Sequence, residues 1–269
     1  MKGYGFVDIE HGTYHREKHE DAIFHRMKTC KSKEILFHHR SPTSTPNMIE
    51  TAHPIFTKNK VYEYNYYLTH NGVIRNAELL KNLHKKEFKI KYTTEVKVSG
   101  DKVFNDSESL LHELALFIEG KKETMSACGT MAFILLQSDK NGKPINLYYG
   151  RNSSKELKMF MDKKELIISS DGKGSDVDED KLWKYSYKHN NITAVDLDFA
   201  LITTTSWRRD SVDEEEQGKK TIIEYPEKFD GIESQDRMYG FRNMGEVGLE
   251  NEYMDELDDF AILDLFEQN

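Results

Sequence analysis

Residues 35–45 read ILFHHRSPTST, residues 51–55 read TAHPI, and residues 64–76 read YNYYLTHNGVIRN. Ile35, Leu36 and Phe37 form a short apolar run with His38, His39 and Arg40 at its end. Tyr62 to Leu68 is a second run, rich in aromatics, that delivers His70-Asn71-Gly72. Both runs read as buried strands, because β-branched and aromatic side chains fill pleated surfaces well. Pro42, Pro46 and Pro54 make the chain between them unsuited to regular structure. Polar groups therefore gather where strands stop, a usual place for a site on a sheet scaffold.

The residue types suggest a chemistry. Arginine suits a carboxylate, because its planar fork donates two parallel hydrogen bonds. An Asn-Gly at a strand end can offer a side-chain amide and a backbone N–H to one point, which is what an oxyanion hole needs. Two readings are open for these residues taken alone. Either Arg40 and Asn71-Gly72 serve a ligand, or Arg40 pairs with a structural acid and Asn71-Gly72 is a tight turn.

The three pieces together resemble the glutaminase domain of class II glutamine amidotransferases, which are N-terminal-nucleophile hydrolases. The matching residues are His38-His39-Arg40 with Thr43, Ser44 and Thr45, then Ala52-His53-Pro54, then His70-Asn71-Gly72 with Ile74 and Asn76. Asp106-Ser107-Glu108 is a fourth match in the same order. Later, Gly150-Arg151-Asn152 and Ser169-Ser170-Asp171 follow two further stretches of that family. The resemblance covers about Gly3 to Thr203. It implies an α+β fold, a four-layer αββα sandwich of two antiparallel sheets with helices outside. It also implies catalytic roles for Asn71 and Gly72, and substrate contacts from Arg40, Thr43, His70 and Asp106. L-glutamine is the implied ligand, and no metal or organic cofactor is implied.

Composition sets bounds. The chain has 269 residues, 37% hydrophobic and 32% charged, enough for a globular core with a polar surface. No apolar run approaches ~18 residues, so no transmembrane helix is expected. No signal-peptide apolar region opens the numbered chain, and the expectation is a cytoplasmic protein. The only cysteines, Cys30 and Cys128, fit a reducing compartment rather than a disulfide framework. His11, His15, His19 and His25 are too scattered for a metal site.

The net charge of −9 is uneven. From Arg208 to Asn269 there are 19 acidic and 7 basic residues, a net of −12, so the rest carries about +3. The sequence therefore divides into a body, 1–206, and an acidic tail, 207–269. That tail is not expected to bind nucleic acid. Asp213 to Glu216 reads as solvated linker. Residues 251–266 mix acids with Tyr253, Leu257, Phe260, Leu263 and Phe266. This is the pattern of an amphipathic acidic helix, open to readings as a partner-docking peptide, a cover for its own domain or a disordered end. The body is expected to fold without the tail.

Along the body, strands are expected at Tyr4–Glu10, Thr13–Arg16 and Phe88–Val98. Gly129–Gln137, apolar on both faces, reads as a central strand. Ile145–Tyr149, the hairpin Leu157–Met161 with Leu166–Ser170, Trp183–Tyr187 and Ile192–Leu201 follow. Helices are expected at Glu20–Lys31, after a cap at Asn76, and after Asn105-Asp106. Asp106 has two available roles, a helix cap or, by resemblance, the partner of the glutamine ammonium.

One element of the family pattern is not matched. The resemblance implies a cysteine nucleophile at a mature N-terminus, with its own amine as base. Residues 1–6 read MKGYGF, and Gly3 to Val7 resembles the strand that follows the nucleophile strand and helix. The expectation is that this first strand and helix are missing, leaving a sheet edge open to a supplied strand. An upstream segment, a split or processed product and a degenerate binding protein all fit. The numbered chain is expected to bind glutamine without releasing ammonia. The functions weighed are a glutaminase supplied with a cysteine, a glutamine-binding or scaffolding pseudoenzyme, and an amide or peptide hydrolase of the same superfamily. Any ammonia acceptor would be bound by a separate protein.

Overall fold

The computed structural model describes residues 3–30, 32–40, 48–162, 165–195 and 262–264. The elements in chain order begin with β1 (Gly3–Asp8), β2 (Thr13–Glu17), α1 (Glu20–Cys30) and β3 (Ile35–Arg40). A 3₁₀ turn at Ile49–Thr51 precedes β4 (Ile55–Thr57), β5 (Asn65–Ile74), α2 (Ala77–Phe88), β6 (Val96–Val98) and β7 (Asp101–Val103). Then come α3 (Ser107–Ile118), β8 (Gly129–Ser138), β9 (Pro144–Arg151), β10 (Lys158–Met161) and β11 (Glu165–Ser169). The last are β12 (Ser175–Asp176), β13 (Leu182–Ser186), β14 (Asn191–Val195) and β15 (Ile262–Asp264).

Six strands form the main sheet in the order β14-β13-β9-β8-β5-β4. Two smaller sheets, β2-β1-β3 and β12-β10-β11-β15, pack on one of its faces. The period-two alternation of β8 shows why. Ala132, Ile134 and Leu136 meet Val7 and Leu36 from the first small sheet and Leu166 and Ile168 from the second. Met131, Phe133 and Leu135 point the other way, onto Leu80 of α2 and Leu110, Leu111 and Leu114 of α3. In β1, Tyr4 and Phe6 face outward onto Ile23 of α1. The layers are therefore α1, small sheets, main sheet, α2 with α3. This is the α+β, N-terminal-nucleophile-hydrolase-like sandwich.

Four details differ from the sequence expectation. First, β5 starts at Asn65 and runs through His70-Asn71-Gly72, pairing with β8 from Asn65↔Ser138 to Ile74↔Gly129. The polar triplet therefore lies within the ladder, not beyond it. Second, residues 89–95 form no strand. The N–H groups of Thr93 and Thr94 instead donate to the two oxygens of the Glu108 carboxylate, at 2.6 and 2.9 Å. Third, Asn76 makes no side-chain cap bond to α2. Its amide donates to Ser126 O at 2.7 Å and accepts from Cys128 N–H at 2.9 Å, fixing the entry to β8. Fourth, Ile262–Asp264 is a strand, paired antiparallel to β11, where the pattern suggested helix. The other residues of the proposed tail helix lie outside the described set.

Candidate functional site

A cavity of about 240 Å³ opens where β3, β5 and the start of α3 meet. Its charged and amide side chains include Arg40, Asn71, Asp106 and Lys155. This is below the ~300–1,000 Å³ typical of drug-sized pockets and on the scale of one small metabolite.

Arg40 arrives as the last residue of β3. Its side chain is buried, and one guanidinium N–H donates to Thr51 Oγ1 at 3.1 Å. Thr51 in turn donates to Met48 O at 3.0 Å, so the 3₁₀ turn holds the arginine in place. Asn105 ties this turn to α3: its amide donates to Thr51 O at 2.7 Å and its Oδ1 accepts from Ser107 N–H at 3.0 Å.

Asp106 stands at the N-terminal boundary of α3 and makes no side-chain cap bond. Its carboxylate turns to β5 and accepts the Ile74 N–H at 2.6 Å. Burial raises its pKa, while the Ile74 N–H and the nearby Arg40 guanidinium pull it back. Of the two roles open in the sequence, the helix cap is the one this geometry leaves unused.

Asn71 faces the cavity, and its side-chain amide has no hydrogen-bond partner among the described residues. Gly72 beside it has φ of +148°. A Cβ there would lie 1.9 Å from Thr130 O and 2.8 Å from His70 Nε2. Only glycine lets β8 and the His70 ring approach this closely.

His70 lines the cavity but is engaged by the protein on both nitrogens. Nε2 lies 3.2 Å from Thr130 O, an acceptor, so it carries the proton. Nδ1, 2.8 Å from Ser107 Oγ, then accepts from that hydroxyl. Burial brings its pKa down to about 4, so the ring is neutral. These bonds tie β5 to α3 and to β8 next to Asn71 and Gly72. Thr43 lies outside the described residues.

The cavity also holds groups that sequence reasoning did not assign. Ser107, Thr130 and Lys155 line it, and so does His53. His53 is buried, and neither ring nitrogen has a hydrogen-bond partner among the described residues. Burial, then the neighbouring His38, His70 and Arg40, hold its pKa well below the usual value. Gly5 of β1 admits this segment, since a Cβ there would lie 2.1 Å from His53 O. The Ala-His-Pro motif was the signal for His53; no signal marked Lys155.

No cysteine lines the cavity among the described residues: Cys30 ends α1 and Cys128 precedes β8. Among the described residues, no group of three or more His, Cys, Asp or Glu side chains is placed to hold a metal ion. No helix among them is long and apolar enough to cross a membrane.

No family model matches the chain, and no curated protein matches it in sequence. Solved structures do match. One, described as the structure of the allosteric regulatory enzyme of purine biosynthesis, superposes with a TM-score of 0.52 at 15% identity. The alignment covers 72% of this chain and 42% of that one. The chain has a glutamine-amidotransferase-like fold. Two others are glutamine phosphoribosylpyrophosphate amidotransferase from B. subtilis, complexed with ADP and GMP, and a glutamine aminotransferase class-II domain protein from Silicibacter pomeroyi. Their TM-scores are 0.46 and 0.43, at 14% and 12% identity. Each alignment covers 72% of this chain; the shares of those chains are 42% and 90%. The matched part of the chain thus spans less than half, 42%, of the length of each of the first two structures.

Proposed function

We propose that the cavity is a glutamine site of the class II glutaminase kind. The observation that carries this is the convergence of Arg40, Asn71, Gly72 and Asp106 on one small cavity. A free amino acid is a zwitterion, and Arg40 and Asp106 offer it one cation and one anion at fixed positions. Arg40 takes the α-carboxylate and Asp106 the α-ammonium. The side-chain amide then lies against Asn71 and Gly72. When a thiolate attacks the amide carbon, negative charge develops on the amide oxygen, and the Asn71 amide and Gly72 N–H stabilise it. The C–N bond then breaks, ammonia leaves with a proton from the general base, and water hydrolyses the thioester to glutamate.

The thiolate belongs to a cysteine outside the cavity lining described above. A second reading is favoured by that same absence of a lining thiol: a glutamine-binding or scaffolding protein without turnover. In either case the acidic tail, 207–269, apart from the β15 strand that pairs with β11, is the proposed docking segment for a protein partner, and the proposed location is cytoplasmic. Ammonia release from glutamine, measured with and without an added polypeptide that begins with cysteine, separates the two. Turnover that depends on the terminal cysteine supports the enzyme; binding with no turnover under any supplied cysteine supports the binding protein.

A further inference from the structure

The proposed clamp leaves one charge in the cavity unused. Apart from the histidines, three lining side chains are ionisable: Arg40, Asp106 and Lys155. Arg40 and Asp106 act on each other electrostatically. Lys155 follows β9 in the loop before β10. It is half-buried, and its ammonium makes no hydrogen bond or ion pair among the described residues. Arg151, the last residue of β9, lies opposite Ala132 of β8, which lies opposite Asn71 of β5, so the loop that carries Lys155 leaves the sheet level with the Asn71-Gly72 end of the cavity.

Glutamine presents one carboxylate and one ammonium, which match Arg40 and Asp106 and leave Lys155 unpaired. An amino acid with a second carboxylate on its side chain matches all three groups. We infer that the cavity is a receptor for an acidic amino acid of glutamate length, with Lys155 holding the side-chain carboxylate. This inference rests on the amino-acid reading of the cavity and adds its ligand preference.

For turnover, the same lysine slows loss of the product carboxylate. Without turnover, it makes the protein a glutamate binder. Lys155 thus sets which of two nearly isosteric ligands, differing by –NH₂ against –O⁻, the protein holds.

The test is calorimetric titration of the full chain with L-glutamate and with L-glutamine at low salt, for wild type and Lys155→Gln. The expected wild-type result is glutamate bound about tenfold more tightly, a difference of ~1.4 kcal/mol. Lys155→Gln should bring the two affinities within about threefold. Added salt should weaken glutamate more than glutamine. Since the Lys155 ammonium makes no hydrogen bond or ion pair among the described residues, the variant should keep the wild-type melting temperature. Glutamine binding as tight as glutamate in wild type, or a glutamate preference that survives Lys155→Gln, overturns the inference and leaves the amino-acid reading standing. Failure of both ligands to bind overturns both.

Discussion

The Asp106 carboxylate accepts the backbone N–H of Ile74 at 2.6 Å, tying the start of α3 to the end of β5. The two elements that bring Asp106 and Asn71-Gly72 to the cavity are therefore held in register by one part-buried, charge-assisted bond. Removing the acceptor should cost more than removing the charge. Asp106→Ala leaves the Ile74 N–H unpartnered and should destabilise the fold by about 1–3 kcal/mol in chemical denaturation. Asp106→Asn keeps an oxygen for that N–H and should stay within about 1 kcal/mol of wild type. It should still weaken amino-acid binding at least tenfold.

Gly72→Ala tests the close approach of β8. The added Cβ meets Thr130 O at 1.9 Å and requires a side chain at φ +148°. The expected cost is at least about 2 kcal/mol, read as a lowered melting temperature. A variant as stable as wild type would show that the strands part easily at this point.

Stability should fall on mild acidification. His70 has a folded-state pKa of about 4, lowered by burial from the ordinary 6.5. Below pH 6.5 the unfolded chain takes up this proton and the folded chain does not. The contribution is complete above pH 6.5 and is lost progressively down to about pH 4, a loss on the order of 3 kcal/mol. His53 shifts in the same direction. Denaturation midpoints across pH 4–7 check this, and His70→Gln should flatten part of the slope.

Glu108 offers a test of the helix beneath the site. Its buried carboxylate accepts four hydrogen bonds, from the N–H and hydroxyl of both Thr93 and Thr94. Glu108→Ala should cost about 3–5 kcal/mol, because four donors lose one acceptor at once. Thr93 and Thr94 precede β6, so local protection from hydrogen exchange in 91–95 should fall as well.

The layers were legible through the family resemblance, and Gly129–Gln137, apolar on both faces, marked the strand that is covered on both sides. Arg40, Asn71, Gly72 and Asp106 were legible because each ends or continues such an element within a family-like pattern. Other features depend on juxtaposition and carry no local signal. Glu108, His112 and Glu113 have the look of a solvated helix face. In the fold they are buried, with Glu108 on Thr93 and Thr94, His112 beside Tyr62, and Glu113 2.7 Å from both His84 and Lys122. Phe88–Val98 alternates as a strand does, yet Glu108 captures the backbone N–H groups that a ladder would have used. Thr51 and Lys155 are unremarkable in sequence and gain a role only when the 3₁₀ turn and the loop after β9 reach the cavity.

Arg40→Lys tests the central claim most directly, because it keeps the charge and removes only the fork. Calorimetric titration of the full chain with L-glutamine should give saturable one-to-one binding in wild type. In Arg40→Lys it should be about tenfold weaker or more, with the melting temperature within a few degrees. No glutamine binding by wild type, or equal binding by Arg40→Lys, would contradict the assignment of this cavity to a free amino acid.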